Sequence, residues 1–146
     1  MKESVLRNRL GKFILVSNIG FAFLIVVYYI LRGFTDSEFA ELLKILTPIK
    51  AVYLTALIRY VIANRNVPKD NIEDTKQVTS LFANTSFLII FVHITTLIVA
   101  TTVFAFFNAM DFDVLINIII GLETFFGIYV GMFMASMFKI NDEKTV

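Results

Sequence analysis

Long apolar runs alternate with short polar breaks along this chain, and that alternation predicts its elements. Polar residues gather in the first twelve positions, around Arg32 to Ser37, from Asn64 to Val78, at Asn108 to Asp111, and after Phe138. Between them lie runs of about 20 or more mostly apolar residues, the length a helix needs to cross ~30 Å of hydrocarbon. The pattern predicts four helices, over about 13–32, 39–63, 81–107 and 112–138. The expected fold is all-α: a polytopic integral membrane protein, one domain over 1–146, with four transmembrane helices arranged as two antiparallel hairpins.

The breaks between runs carry their own signals. Lys2, Arg7, Arg9 and Lys12 precede the first run, which ends in Tyr28-Tyr29-Ile30-Leu31-Arg32-Gly33, an aromatic and basic interface pattern. A secretory signal would stop after 7–15 apolar residues at small side chains, so a retained span is expected instead. Asp36 or Ser37 is the expected cap of the second helix, with Glu38 and Glu41 in its first turn. Asn64 to Pro68 stops that helix. The loop over 65–78 mixes Arg65, Lys69 and Lys76 with Asp70, Glu73 and Asp74 and reads as a solvated connector, while Asn108 to Asp111 is short enough for a tight hairpin.

Charge placement sets the expected orientation. Lys2, Arg7, Arg9, Lys12, Arg59, Arg65, Lys69, Lys76, Lys139 and Lys144 all fall at the N-terminus, the middle loop or the tail, leaving Arg32, Lys44 and Lys50 of the 13 basic residues elsewhere. By the positive-inside rule both termini are cytoplasmic, and the expected location is a cell membrane, a bacterial inner membrane by this reading. The lipid bilayer is thus the first expected partner.

Shifting the chain on itself by 73 residues, half of its 146, aligns the halves without a gap. Leu24-Ile25-Val26 meets Leu97-Ile98-Val99, Phe39 meets Phe112, Leu42 meets Leu115, and Ile45 meets Ile118. Apolar matches arise easily by chance, so the polar ones matter more: Lys44 falls on Asn117, Pro48 on Gly121, and Lys50 on Glu123. A repeat of this kind is parallel, with equivalent residues at one depth.

Composition narrows the class. At 58% hydrophobic residues and mean hydropathy +0.78, the chain is too apolar for an ordinary soluble domain. A net charge of +1 argues against a nucleic-acid partner. With no cysteine and one histidine there is no basis for disulfides, thiol catalysis or a multi-histidine metal site. No phosphate-binding glycine loop, nucleophile elbow or HExxH pattern occurs, so neither an enzyme nor a cofactor is expected.

The candidate chemistry is the set of polar residues inside the apolar runs. A charge at mid-membrane costs roughly 2.5–3.5 kcal/mol on insertion scales, so Lys50 and Glu123 need each other, another partner or water. His93, with Ser86 and Thr96 on roughly its own face, could join them or relay protons. Pro48 is expected to kink or break the second helix, with Thr47 starting a fresh half-helix. Lys44 and Asn117 complete the expected intramembrane polar site. Gly127, Gly131 and Ala135, four residues apart, form a small-residue stripe for helix packing or subunit contact.

Two functions suit these features. One is a homo-oligomeric ion channel or small transporter whose polar site lies at Lys50, Glu123 and His93. The other is a membrane sensor, anchor or accessory subunit working with a separate cytosolic protein partner through the 65–78 loop and the tails. In the second case the buried charges are structural.

Overall fold

The apolar runs do become helices, and each boundary has a local cause. The computed structural model describes residues 2–64 and 78–137. It comprises α1 (Glu3–Ile30), α2 (Asp36–Asn64), α3 (Ser80–Phe107) and α4 (Phe112–Met137), with no strand element among the described residues. The loop expected over 65–78 lies almost wholly outside the described residues, as does the tail. Helix α1 begins ten residues before the expected start at 13. Leu6, Leu10 and Ile14, spaced one turn apart, are buried, so the basic leader continues the helix.

The turn after α1 closes as a Schellman motif. The Gly33 amide donates to the Tyr28 carbonyl and the Arg32 amide to that of Tyr29, at 2.9 Å each. Arg32 takes the left-handed conformation, φ 60°, that such a motif demands. Gly33 is needed for space: a Cβ there would stand 2.8 Å from the Ala105 Cβ. The cap of α2 is Thr35, which corrects the expectation of Asp36 or Ser37. Its backbone amide donates to Glu38 Oε2 at 2.7 Å and its hydroxyl accepts from the Glu38 amide at 3.4 Å, a capping box. Thr79 caps α3 through the Phe82 amide, and Asn108 ends it in the left-handed conformation, φ 47°.

Helix α2 runs through Pro48 without interruption, so the expected half-helix start at Thr47 is not found. Proline removes one amide donor, and the packing of Leu42, Leu46 and Tyr53 on either side holds the helix together.

Each helix packs mainly on two neighbours: α1 on α2 and α3, and α4 on α2 and α3. Two hydrophobic clusters fill the bundle. The first joins Phe21 and Ile25 of α1, Leu42 and Leu46 of α2, Leu97, Ala100 and Phe104 of α3, and Leu115 and Ile119 of α4, with Phe34 from the turn. The second draws on the opposite halves: Leu6, Leu10 and Ile14, then Tyr53, then Ala83 and Ile90, then Phe126 and Val130. Large apolar side chains cover the outside as well, among them Phe23, Leu88, Phe91 and Phe125. Among the described residues three helices are long and apolar enough to cross a membrane, at 8–30, 80–107 and 112–132, which marks a membrane protein. Helix α2 has the length as well, 29 residues or about 43 Å, but carries Lys44 and Lys50 within it.

Candidate functional site

The two clusters leave one level of the bundle between them, and polar side chains fill it. On α1 the clusters part between Ile14 and Phe21, on α2 between Leu46 and Tyr53, on α3 between Ile90 and Leu97, and on α4 between Ile119 and Phe126. The residues inside those gaps include Asn18, Lys50, His93 and Glu123, one from each helix. Lys50 is the middle residue of α2, while His93 and Glu123 lie within two residues of the middle of α3 and α4.

Glu123 is the hub of this layer. It is 1% exposed, and Lys50 Nζ donates to its Oε1. His93, 6% exposed, brings its Nε2 to 3.7 Å from the same oxygen. That is too long for a hydrogen bond but close enough for a direct electrostatic interaction. The imidazole lies flat on the Phe126 ring, centroids 4.0 Å apart and 8° between planes, which fixes its orientation. Tyr53 hydroxyl donates to the backbone carbonyl of Glu123 at 2.9 Å, tying α2 to α4 one turn below the ion pair. Gly127 makes that approach possible, since a Cβ there would lie 3.1 Å from the Tyr53 oxygen.

Lys50 is the member that reaches the surface. Its side chain is 17% exposed, and its ammonium lies 5.7 Å from the ring centroids of both Phe21 and Tyr53, within cation–π range. It lines a cleft of about 150 Å³ with Ile14, Leu15, Asn18, Ile19, Ala22, Tyr53 and Leu54. Asn18 donates its side-chain amide to the Ile14 carbonyl at 2.7 Å, which leaves its Oδ1 buried without a partner. Two further buried atoms of the layer also lack hydrogen-bond partners, Glu123 Oε2 and His93 Nε2.

Three other residues expected at the site stand elsewhere. Lys44, Pro48 and Asn117 are on the exposed face of their helices. The reason is angular: at 100° per residue, Pro48 stands about 160° round the helix from Lys50, and Lys44 and Asn117 stand about 120° round from Lys50 and Glu123. Thr96 likewise faces outward and satisfies itself on the Val92 carbonyl, whereas Ser86 is buried on the His93 face. Thr101 and Thr102 donate to carbonyls one turn back, as such residues do in apolar helices. Of the small-residue stripe, Gly127 faces Tyr53, Gly131 faces open space, and the side chain of Ala135 lies outside the described residues. Asn18 and Tyr53 are members that sequence reasoning did not select. Asn18 follows Ser17 in the first third of the first apolar run, and Tyr53 stands one turn after Lys50.

Among the described residues no three His, Cys, Asp or Glu side chains gather as a metal site. The arrangement can hold and exchange charge: one carboxylate between an ammonium and an imidazole, sealed from solvent except at the lysine. The chain is thus an all-α membrane protein with an ionisable layer across the middle of its bundle. Compared with protein-family models, curated proteins and solved structures, it matches none.

Proposed function

We propose that this protein is an oligomeric membrane channel or small transporter that works through the Lys50–Glu123–His93 layer. The observation that carries the reading is Glu123, a carboxylate buried at mid-helix with a lysine on one side and a histidine on the other. Ionisable residues inside a bilayer are expensive and commonly mark ion or substrate paths. The proposal includes four passes, α2 among them, as two antiparallel hairpins with both termini in the cytoplasm. The opposite halves of successive helices shared by each cluster support that course. The 73-residue repeat gains support in α2 and α4, where Leu42, Leu46, Lys50 and Tyr53 match Leu115, Ile119, Glu123 and Phe126 as inward-facing positions. Side chains fill the bundle, so a path needs several copies around an axis.

A second reading has its own observation in favour. Lys50 and Glu123 neutralise each other, and packed hydrocarbon lies on both sides. Such a pair can be scaffolding in an accessory or sensor subunit whose partner is a separate cytosolic protein.

The deciding experiment is to purify the protein in mild detergent, determine its mass, and measure ion flux after reconstitution in liposomes. A homo-oligomer whose flux is lost in Glu123→Gln supports the channel or transporter. A folded monomer without flux rejects it in favour of the accessory subunit.

A further inference from the structure

The buried layer leaves Asn18 Oδ1, His93 Nε2 and Glu123 Oε2 without hydrogen-bond partners. Glu123 carries two carboxylate oxygens, and Lys50 engages one; the other, Oε2, has no partner in the protein. His93 Nε2 also has none and lies 3.7 Å from the carboxylate. Both side chains are more than nine-tenths buried. A buried carboxylate normally accepts several hydrogen bonds, and an unpaired polar atom in such surroundings costs about 1–3 kcal/mol. If Nε2 carries a lone pair, two acceptors face one another with no donor between them. If it carries a hydrogen, the imidazole is already the donor that the carboxylate lacks. In the first case the hydrogen that completes the pair is one gained by the imidazole, and in the second a further proton makes the ring a cation beside the anion.

We propose that His93 and Glu123 form a proton-binding site, and that the ion this protein handles is the proton. The inference rests on reading the layer as the functional site. Before uptake the layer holds the Lys50 ammonium, the Glu123 carboxylate and a neutral imidazole, with no net charge. Uptake of one proton from water puts it on the imidazole, leaves the imidazolium bridged to the carboxylate, and brings the layer to +1; release restores it. Metal cations suit the layer poorly, because the Lys50 ammonium already occupies the anion. The groups facing the pair from the other helices are few. Helix α2 brings Lys50 and Tyr53, and α4 brings Tyr129 beside Phe126. From α1, Asn18 and Phe21 approach Lys50, and neither titrates. The stacking of His93 on Phe126 holds the ring ready in either state.

His93 is the chain's single histidine, so its protonation can be read without ambiguity. The protein, carrying a purification tag without histidine, is labelled with ¹⁵N-histidine and ¹³C-glutamate and placed in lipid bilayers for solid-state magnetic resonance from pH 9 to pH 4. The expected result is a reversible change from the split ring-nitrogen signals of neutral imidazole to the merged pair of imidazolium. In step with it, a ¹⁵N–¹³C coupling should appear between the ring and a glutamate carboxyl carbon. Glu123→Gln should remove that coupling, which assigns it to Glu123. A ring that stays neutral throughout in the folded protein overturns the proposal. So does a wild-type transition without the glutamate coupling, which needs no variant to fold, or a coupling that persists in folded Glu123→Gln. These readouts record proton binding alone, so a failure of the liposome flux experiment leaves them separately decidable.

Discussion

Replacing Lys50 by methionine removes the partner of a carboxylate that is 1% exposed and has no direct route to water. Methionine keeps the length and bulk of the side chain, so the loss is chiefly electrostatic. His93 at 3.7 Å is the nearest compensation left. Breaking a buried ion pair in this way typically costs about 3–5 kcal/mol. Glu123→Leu should cost less, about 1–3 kcal/mol, because the orphaned lysine keeps its 17% exposure and can turn into the cleft. The double substitution leaves two apolar residues in a gap between two hydrophobic clusters and should be close to neutral. With the double variant near neutral, the cycle predicts a coupling of about 4–8 kcal/mol, above the roughly 0.5–3 kcal/mol usual for residues in contact. Because the chain has no cysteine, Ala83→Cys provides a unique buried thiol whose labelling in SDS titrations reports unfolding. Each variant is compared with that background. Additive losses, with no recovery in the double variant, would refute the shared ion pair. A cost larger for Glu123→Leu than for Lys50→Met would refute the exposure argument even if the coupling is present.

Gly127→Leu should destabilise the bundle by about 1–3 kcal/mol through overpacking on Tyr53, whereas Gly131→Leu, facing open space, should leave the single bundle intact and weaken only self-association, as cross-linking in bilayers would read. Thr79→Ala removes the cap of α3 and should cost about 1 kcal/mol in the same thiol-labelling titration; an unchanged midpoint would refute that role. A reporter fused after Val146 should read cytoplasmic and one inserted near Phe34 or Ala109 external, the reverse pattern overturning the four-pass orientation.

The residues that were legible in advance are those whose environment is set by chain length and hydrocarbon alone. Helix α3 begins and ends within one residue of expectation and α4 begins where expected, because Thr79, Asn108 and Asp111 punctuate them sharply; the expected end of α4 at 138 lies outside the described residues. The start of α1 was hidden by Arg7, Arg9 and Lys12, whose charges mask the one-turn spacing of Leu6, Leu10 and Ile14. Lys50 and Glu123 were paired from the 73-residue offset and the cost of a lone charge, and His93 from its depth. Lys44, Pro48 and Asn117 were grouped with them as polar or helix-breaking positions within the same apolar runs, but a shared run without azimuth does not make a site. Tyr53 escaped notice because its bond runs to a backbone carbonyl, which leaves no side-chain partner to search for. Asn18 escaped because a neutral amide in an apolar run announces no particular chemistry.

The separation of 73 residues between Lys50 and Glu123 also has a meaning in time. A ribosome adding about 5–20 residues per second completes α2 about 3–12 s before it reaches the glutamate. Through that interval the first hairpin exists with a lysine at its middle and no acid to meet it. The aromatic faces of Phe21 and Tyr53, both made before or just after Lys50 itself, are on hand from the start. Each offers a cation about 0.5–2 kcal/mol. The rings that flank the finished ion pair are therefore also its interim hosts during synthesis, and the nascent hairpin carries its own shelter for the charge until the second half of the chain arrives.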